Sequence, residues 1–425
     1  MIEAFLKRLL SVLFLGSSFL TLLSPISTGG TMEHFHSYDR SLCACGDVDF
    51  QDENDHTVVL SSLSDVFISG TTATIPERIT RDGETYTVVG LGPAMFREQT
   101  WLTDVICPDT LRYIGRYCFD GCTSLRHINL PDNVERIELA AFQLCSSLEE
   151  IYLPKSLTYL GNFSYNHCSS ATNTSIMIPK SLVQIGDDVS APAHMFYDCG
   201  QDHLFTEFVV EEGNPAYKAV DGILYTKDGS TLVSIPRGKT FPDHTYTMPQ
   251  TVTSLGELSF SRNKDVHTVV LSDSLLVNGY QTLAQRQAFV NRGNDLSVAC
   301  YGYSGVSAYE VRETNPHYQA VDGILYSRDL TRLVAIPMQY AGDITVPKGV
   351  KTWGKDALSK DVEYFKDTAL NRITGISLPK TLTVMEDSQI EALNLLADTY
   401  GTILSIDPEN PVFTVDESGH LVHRP

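Results

Sequence analysis

The chain has 425 residues, 42% of them hydrophobic, and a formal charge of −21 with 31 basic against 52 acidic side chains. That acidity opposes binding to phosphate backbones and anionic lipid, so nucleic acid and membrane surfaces are excluded as expected partners. The length would ordinarily suggest two or three domains, unless the chain is built from repeats, which grow by addition.

Residues 1–29 read as an export leader. Lys7 and Arg8 make a basic start, and LLSVLFLGSSFLTLL from Leu9 is an apolar run closed by Pro25, too short for a membrane span. The expectation is a secreted or surface-displayed protein with no membrane span in its mature part. Cys43 and Cys45 lie near His34 and His36, but their spacing fits no zinc pattern, and no metal site is assigned.

Residues 30–94 are expected to form a β cap. Strand-like runs occur at VVL from Val58, DVFISG from Asp65, TATIPERIT from Thr72 and ETYTVVG from Glu84, with Asp82-Gly83 as a hairpin turn between the last two. A stack of repeats needs such a cap, because its end would otherwise expose apolar side chains and strand edges.

From Leu102 the chain repeats itself every 23 residues: LTDVICPDTLRYIGRYCFDGC, LRHINLPDNVERIELAAFQLC, LEEIYLPKSLTYLGNFSYNHC. Pro108, Pro131 and Pro154 keep step, as do Cys122, Cys145 and Cys168. Within one unit Leu125, Ile128 and Leu130 face one way and Arg126, His127 and Asn129 the other, a short strand with one buried face. Pro131 cannot donate to a ladder and ends it; Val134 and Ile137 then begin a second inward pair, and Ala141 with Phe142 fill the next corner. One rung buries too few side chains to offset the ordering of its backbone. A stack of rungs is therefore required. The recurring cysteines sit beside Phe119, Phe142 and Tyr165 and read as small buried hydrophobes, although stacked rungs also bring cysteines within disulfide reach.

The unit C-x-x-L-x-x-I-x-L-P-x-S/N-V/L-x-x-I-x-x-x-A-F resembles the BspA-like family of leucine-rich repeats, found largely in bacterial surface proteins. The clean match runs from about Met95 to Ile185. It departs from the ordinary leucine-rich pattern, which carries an Asn or Cys ladder after L-x-L. The resemblance implies a mainly β solenoid over residues 95–425, no catalysis, no cofactor, and adhesion to host or neighbouring-cell proteins.

Two long inserts then duplicate each other, NPAYKAVDGILYTKDGSTLVSIP at 214–236 and NPHYQAVDGILYSRDLTRLVAIP at 315–337, with a shortened copy at 410–422. Each predicts a three-stranded meander with Asp-Gly as its first turn. Asp221 and Asp322 could be drawn as calcium ligands or catalytic acids, but Asp before Gly is what a two-residue hairpin turn demands. Between and after the inserts, rung-like segments return at Tyr246, Ile344 and Gly375. Gln281–Val290 and Asp387–Asp398 are expected to be short covering helices. LPKTL at Leu378 mimics a sortase signal, yet its last position is Leu382 and no apolar tail follows.

No G-x-S-x-G, H-E-x-x-H, phosphate loop or C-x-x-C occurs. The strand register places Ile106, Asn129, Tyr152 and Met177 in one outward column and Tyr113, Arg136, Tyr159 and Gln184 in another. Exposed aromatic and apolar columns suit an extracellular or host-surface protein as partner. A carbohydrate-binding or structural envelope role is the alternative, with Tyr113 and Tyr159 as its weak aromatic platform.

Overall fold

Two parallel ladders carry the repeat. In the first, Thr57–Leu60, Glu84–Leu91, Tyr113–Ile114, Arg136–Ile137, Tyr159–Leu160 and Gln184–Ile185 lie side by side, with Arg78–Arg81 antiparallel to Glu84–Leu91. In the second, Phe67–Ser69 pairs antiparallel with Thr72–Thr74, which pairs parallel with Asp104–Ile106 and then His127–Ile128. The computed structural model describes residues 56–186, 204–256, 259–276, 304–354, 357–358 and 372–425, all within the unit Phe50–Pro425. The expected leader, the first residues of the expected cap, the Cys43 and Cys45 pair and the expected helix at Gln281–Val290 lie outside the described residues.

The third side of each rung has no regular strand, yet its backbone is bonded. The N–H groups of Tyr117, Phe119 and Gly121 donate to the carbonyls of Leu139, Ala141 and Gln143 at 2.9, 2.7 and 2.9 Å, and those of Ala140, Phe142 and Leu144 to Asn162, Ser164 and Asn166 at 2.8 Å each. Donors on this side point to the following rung. On the first ladder they point to the preceding one, as in Arg112 to Val89, Glu135 to Arg112 and Thr158 to Glu135 at 2.7, 2.8 and 2.8 Å. The corner is made by left-handed residues at Tyr117, Ala140 and Phe163 and again at Gly121, Leu144 and His167, with φ between 55° and 75°. Only one of these six is glycine, so the stack over-determines a conformation that L residues resist.

Behind this corner, Phe96, Phe119, Phe142 and Tyr165 stack with ring centroids 5.0, 5.1 and 5.1 Å apart and planes within 10°. The neighbouring thiols are buried. Cys122, Cys145 and Cys168 donate from Sγ to the carbonyls of Phe96, Phe119 and Phe142 at 2.9, 3.2 and 3.3 Å. Burial pushes the Cys122 thiol up to about 12, so it stays protonated and serves as donor.

Each insert is a hairpin grafted onto a rung. Tyr217–Val220, Ile223–Thr226 and Thr231–Ser234 are antiparallel neighbours, and the last pairs parallel with Ser254–Leu255, resuming the stack. Tyr318–Val321, Ile324–Ser327, Arg332–Ala335 and Thr352–Trp353 repeat this arrangement. The turn residues Asp221 and Gly222 have φ 49° and 73°, Asp322 and Gly323 52° and 78°, and Asp82 and Gly83 52° and 84°. Both central residues of each turn are left-handed, the type I′ geometry that matches strand twist. Leu224 and Val233 join the core that begins at Val58, whereas Ile223, Tyr225 and Leu232 join the core that continues to Leu421. The first insert thus lies between the two cores and touches both.

A buried asparagine begins each insert; Asn315 of the second accepts on Oδ1 from the N–H groups of His317 and Tyr318 at 2.9 and 2.8 Å, while its Nδ2 has no partner among the described residues. Asn214 donates from Nδ2 to the carbonyls of Pro179 and Leu182 at 2.8 and 3.0 Å, and its Oδ1 accepts from the N–H groups of Ala216 and Tyr217 at 2.8 and 2.7 Å. Asn410 does the same with Pro379 and Leu382, Val412 and Phe413. Asn263 is a further copy, serving Pro236, Lys239, Asp265 and Val266 without a proline after it.

Toward the C-terminus, Gly342–Thr345, Ile373–Leu378 and Ile403–Ile406 form a parallel sheet, and Phe413–Val415 with Leu421–His423 a hairpin. Helix α1, Asp387–Tyr400, buries Ile390, Leu393 and Leu396 and ends at left-handed Gly401. Its Gln389 accepts from Trp353 Nε1 at 3.0 Å and from the Leu358 N–H at 3.2 Å, and donates back to the Leu358 carbonyl at 3.1 Å. Among the described residues no helix is long and apolar enough to cross a membrane.

Asn214→Ala strands two carbonyls and two amides in the interior, at about 1–3 kcal/mol per unsatisfied group before relaxation. A loss of about 2 kcal/mol or more in urea denaturation is expected. Asn133→Ala, which removes one exposed bond to the Asp109 carbonyl, should change stability by less than about 0.5 kcal/mol.

Candidate interaction surface

The second ladder turns alternate side chains outward. Phe67 opposes Thr74, Thr74 opposes Ile106, and the register that pairs Val105 with Ile128 carries the row on to Asn129. Met177 lies on a separate two-stranded parallel sheet, where it pairs with Val209. Exposure is 71% for Phe67, 49% for Ile106, 37% for Tyr152 and 53% for Met177. These are large apolar side chains held in water on a rigid sheet, where they gain nothing from the fold itself. Phe67 belongs to the row although it was not picked out with the others. Its strand enters through a hairpin at Gly70, with φ 60°, and only that hairpin puts it in register with Ile106, with Thr74 between them.

The row is not uniformly apolar. Asn129 spends its amide on the stack: Oδ1 accepts from the Cys107 N–H at 2.7 Å and Nδ2 donates to the Cys107 carbonyl at 3.3 Å. Asn173 makes the same link to Ile151 at 2.8 and 3.1 Å. Tyr152 donates its hydroxyl to Asp132, which also holds Lys155 Nζ at 2.6 Å. Partial burial, with the Asp132 carboxylate beside it, lifts the Tyr152 phenol to about 12.

Alongside runs a charged row. His127 lies between Asp104 and Glu149 at 3.0 and 3.2 Å, and Arg126 reaches Glu149 at 2.9 Å. The Thr103 hydroxyl, bonded at 2.6 Å, is the main cause that holds the Asp104 carboxyl below its usual range. The exposed apolar side chains therefore run beside a row of bonded charges.

The second expected column differs. Tyr113, Arg136, Tyr159 and Gln184 are in register, but Tyr159 is only 5% exposed and is no platform for a sugar ring. The Arg136 guanidinium lies 4.1 Å from its ring centroid. Arg136 is fixed by Glu138 at 2.9 Å, a carboxylate itself 3% exposed. Glu138 stands where the adjoining rungs carry Gly115 and Gly161, and a Cβ on Gly161 would lie 2.5 Å from the Leu139 nitrogen. Tyr113 is half-buried. The column is aligned, yet closed over by its own charges.

Asp120 is another buried acid, on the third side of its rung. Arg97 Nε donates to its Oδ2 at 3.0 Å, while Oδ1 has no hydrogen-bond partner among the described residues. Burial outweighs the arginine and raises its pKa to about 6. Asp221 and Asp322 sit in their turns, and among the described residues no group of three or more His, Cys, Asp or Glu side chains is arranged to hold a metal ion.

Comparison with known proteins gives one family. Residues 90–203 match the description BspA type Leucine rich repeat region, in six copies. No curated protein matches the chain. Similar solved structures include a leucine rich cell surface protein from Faecalibacterium prausnitzii, with 17% identity over 80% of this chain and 94% of that one, TM-score 0.42. The pneumococcal vaccine antigen PcpA shows 16% identity over 80% and 96% of the two chains, TM-score 0.44. A leucine-rich repeat protein from Bacteroides ovatus shows 18% identity over 79% and 82%, TM-score 0.39.

The Asp120 pKa is raised above its unfolded value, so its contribution to stability is fully present below about pH 4 and is lost as pH rises toward 6. Asp120→Asn is expected to stabilise the protein by about 1 kcal/mol at pH 7.5. Denaturation across pH should show that gain shrinking as pH falls through this window.

Proposed function

We propose, from the premise that residues 90–203 carry six BspA-type leucine-rich repeats, that this chain is an exported or surface-displayed adhesin that docks a host or neighbouring-cell protein on its second ladder. A repeat region of this kind is compatible with protein interaction. The single observation that supports the finer reading is the outward row of Phe67, Ile106, Tyr152 and Met177, each between 37% and 71% exposed on a backbone already fixed by the stack. A rigid apolar row forfeits little entropy on binding, so burying it leaves a surplus for affinity. Tyr152 is the expected anchor, because a half-exposed aromatic ring beside a bonded hydroxyl offers both area and a polar handle. Export rests on the basic start and apolar run before Pro25.

The test is binding of the purified chain to immobilised extracellular-matrix proteins. Tyr152→Ala combined with Met177→Ala is expected to weaken a saturable interaction by about tenfold or more with unchanged melting temperature. Unchanged affinity would remove this face from consideration.

A further inference from the structure

Three strands in this protein stand at the same distance before an Asn-Pro pair. Phe208 of Glu207–Val210, Tyr309 of Ala308–Glu310 and Leu404 of Ile403–Ile406 each lie six residues before Asn214, Asn315 and Asn410. Each strand is the last of a parallel sheet, paired on one side with Ser175–Ile178, Thr268–Val270 or Ile373–Leu378. Its other side is an edge, whose N–H and C=O groups call for partners.

At the first two strands the chain covers that edge itself. The Phe208 N–H donates to the Gly222 carbonyl and the Tyr309 N–H to the Gly323 carbonyl, both at 2.8 Å, so the Asp-Gly turn of each insert sits where a further strand would pair. The fit is close: a Cβ on Gly222 would lie 2.6 Å from Glu207 Cβ, and one on Gly323 3.0 Å from Ala308 Cβ.

The third copy lacks this turn. Glu417 and Ser418 stand where the others have Asp-Gly, and the hairpin ends with Val415 opposite Leu421, one residue pair short of the others. Its loop is instead drawn in by Asp416 Oδ1, which accepts from Ser418 N, Ser418 Oγ and His420 N at 2.9, 2.6 and 3.0 Å. The Asp407 N–H donates to the Leu378 carbonyl at 2.9 Å, so alternation along the strand turns the N–H groups of Leu404 and Ile406 away from Ile373–Leu378. Among the described residues neither has a hydrogen-bond partner. Ile403, at the place of Glu207 and Ala308, is 72% exposed.

Helix α1 and the hairpin flank this strand, and both are acidic. From Glu386 to Glu417 the sequence holds eight carboxylates and no lysine or arginine. Lys380 Nζ reaches Glu409 and His420 Nε2 reaches Asp398, at 2.9 and 2.7 Å, and Arg424 donates to the carbonyls of Phe413 and Pro408; the border of the edge stays negative.

We infer that Ile403–Ile406 takes up an extended segment of another protein as an added β-strand, with an apolar side chain beside Ile403 and lysine or arginine near its ends. The backbone of that segment accepts from the Leu404 and Ile406 N–H groups, as the Gly222 and Gly323 carbonyls do for Phe208 and Tyr309, and main-chain bonds of this kind supply affinity while alternate side chains supply selectivity. A second copy of this chain, with a formal charge of −21, would bring like charge to the same edge. The site is a strand edge and does not depend on the outward row binding protein.

The test titrates the full chain, by fluorescence anisotropy at low salt, with a labelled peptide of alternating Thr and Val that carries lysine pairs at both ends. Two controls differ singly from it: glutamates in place of the lysines, and N-methylation of every core amide. Saturable binding of the lysine peptide is expected, about tenfold or more tighter than that of either control. Ile403→Glu sets at this exposed position the residue that the covered edge carries at Glu207, and should weaken binding severalfold although it adds a negative charge. Exchange of residues 413–423 for 217–226 supplies the missing Asp-Gly turn and should abolish binding. The assignment is overturned if the lysine peptide does not saturate, if either control binds equally, or if Ile403→Glu binds as the parent does. It is also overturned if sedimentation finds a dimer of the chain that Ile403→Glu disperses, which would make a second copy the occupant.

Discussion

Backbone N–H groups of one rung must find carbonyls in the next, and every other feature of this protein depends on that requirement. On two sides of each rung the donors are satisfied by parallel ladders; on the third they are satisfied in the opposite direction, through a chain bent by paired left-handed residues. Each rung is thereby bonded to both neighbours by different sides of itself. The aromatic stack from Phe96 to Tyr165 follows from this spacing, since rungs held about 5 Å apart bring equivalent rings to offset contact. So do the thiols, which reach the carbonyl one rung back.

The same requirement explains how the long inserts are tolerated. An insertion must leave the stack and return to it without stranding the backbone at either point. At Asn214 and Asn410 a buried asparagine solves the departure, because one amide satisfies carbonyls of the preceding rung while its oxygen receives the amides that start the next segment. The return is solved by the last strand of the meander, which is itself a rung strand in parallel register with its successor. Helix α1 attaches through Gln389, which binds both Trp353 and the Leu358 backbone.

Most of the interior is settled by repetition, and at outward positions the variation takes two forms. On the second ladder, large apolar side chains stand in water beside a row of mutually bonded charges. On the first, charges fold over the aromatic column: Glu138 holds Arg136, and Arg136 covers Tyr159. Two columns that alternate alike along the chain are thus presented differently. The duplicated inserts show the same principle, with Lys218 over the second turn of one and Gln319 in its place in the other.

The amino-acid sequence by itself determined the 23-residue period, the sides on which alternate residues lie, the Asp-Gly turns and a helix beginning at Asp387, because each is a matter of local backbone preference and hydrophobic spacing. Ile106, Tyr152 and Met177 could be placed outward on that basis, and they are outward. Tertiary structure alone decided the rest. Tyr159 is covered by a residue 23 positions earlier, and a hairpin brings Phe67 into register with Ile106 across Thr74. Asn263 has the anchoring role without the Asn-Pro signal, and Lys218 covers the second turn of the first insert where the other carries Gln319. In each case the outcome depends on what a neighbouring rung places against the residue, and no local period carries that information.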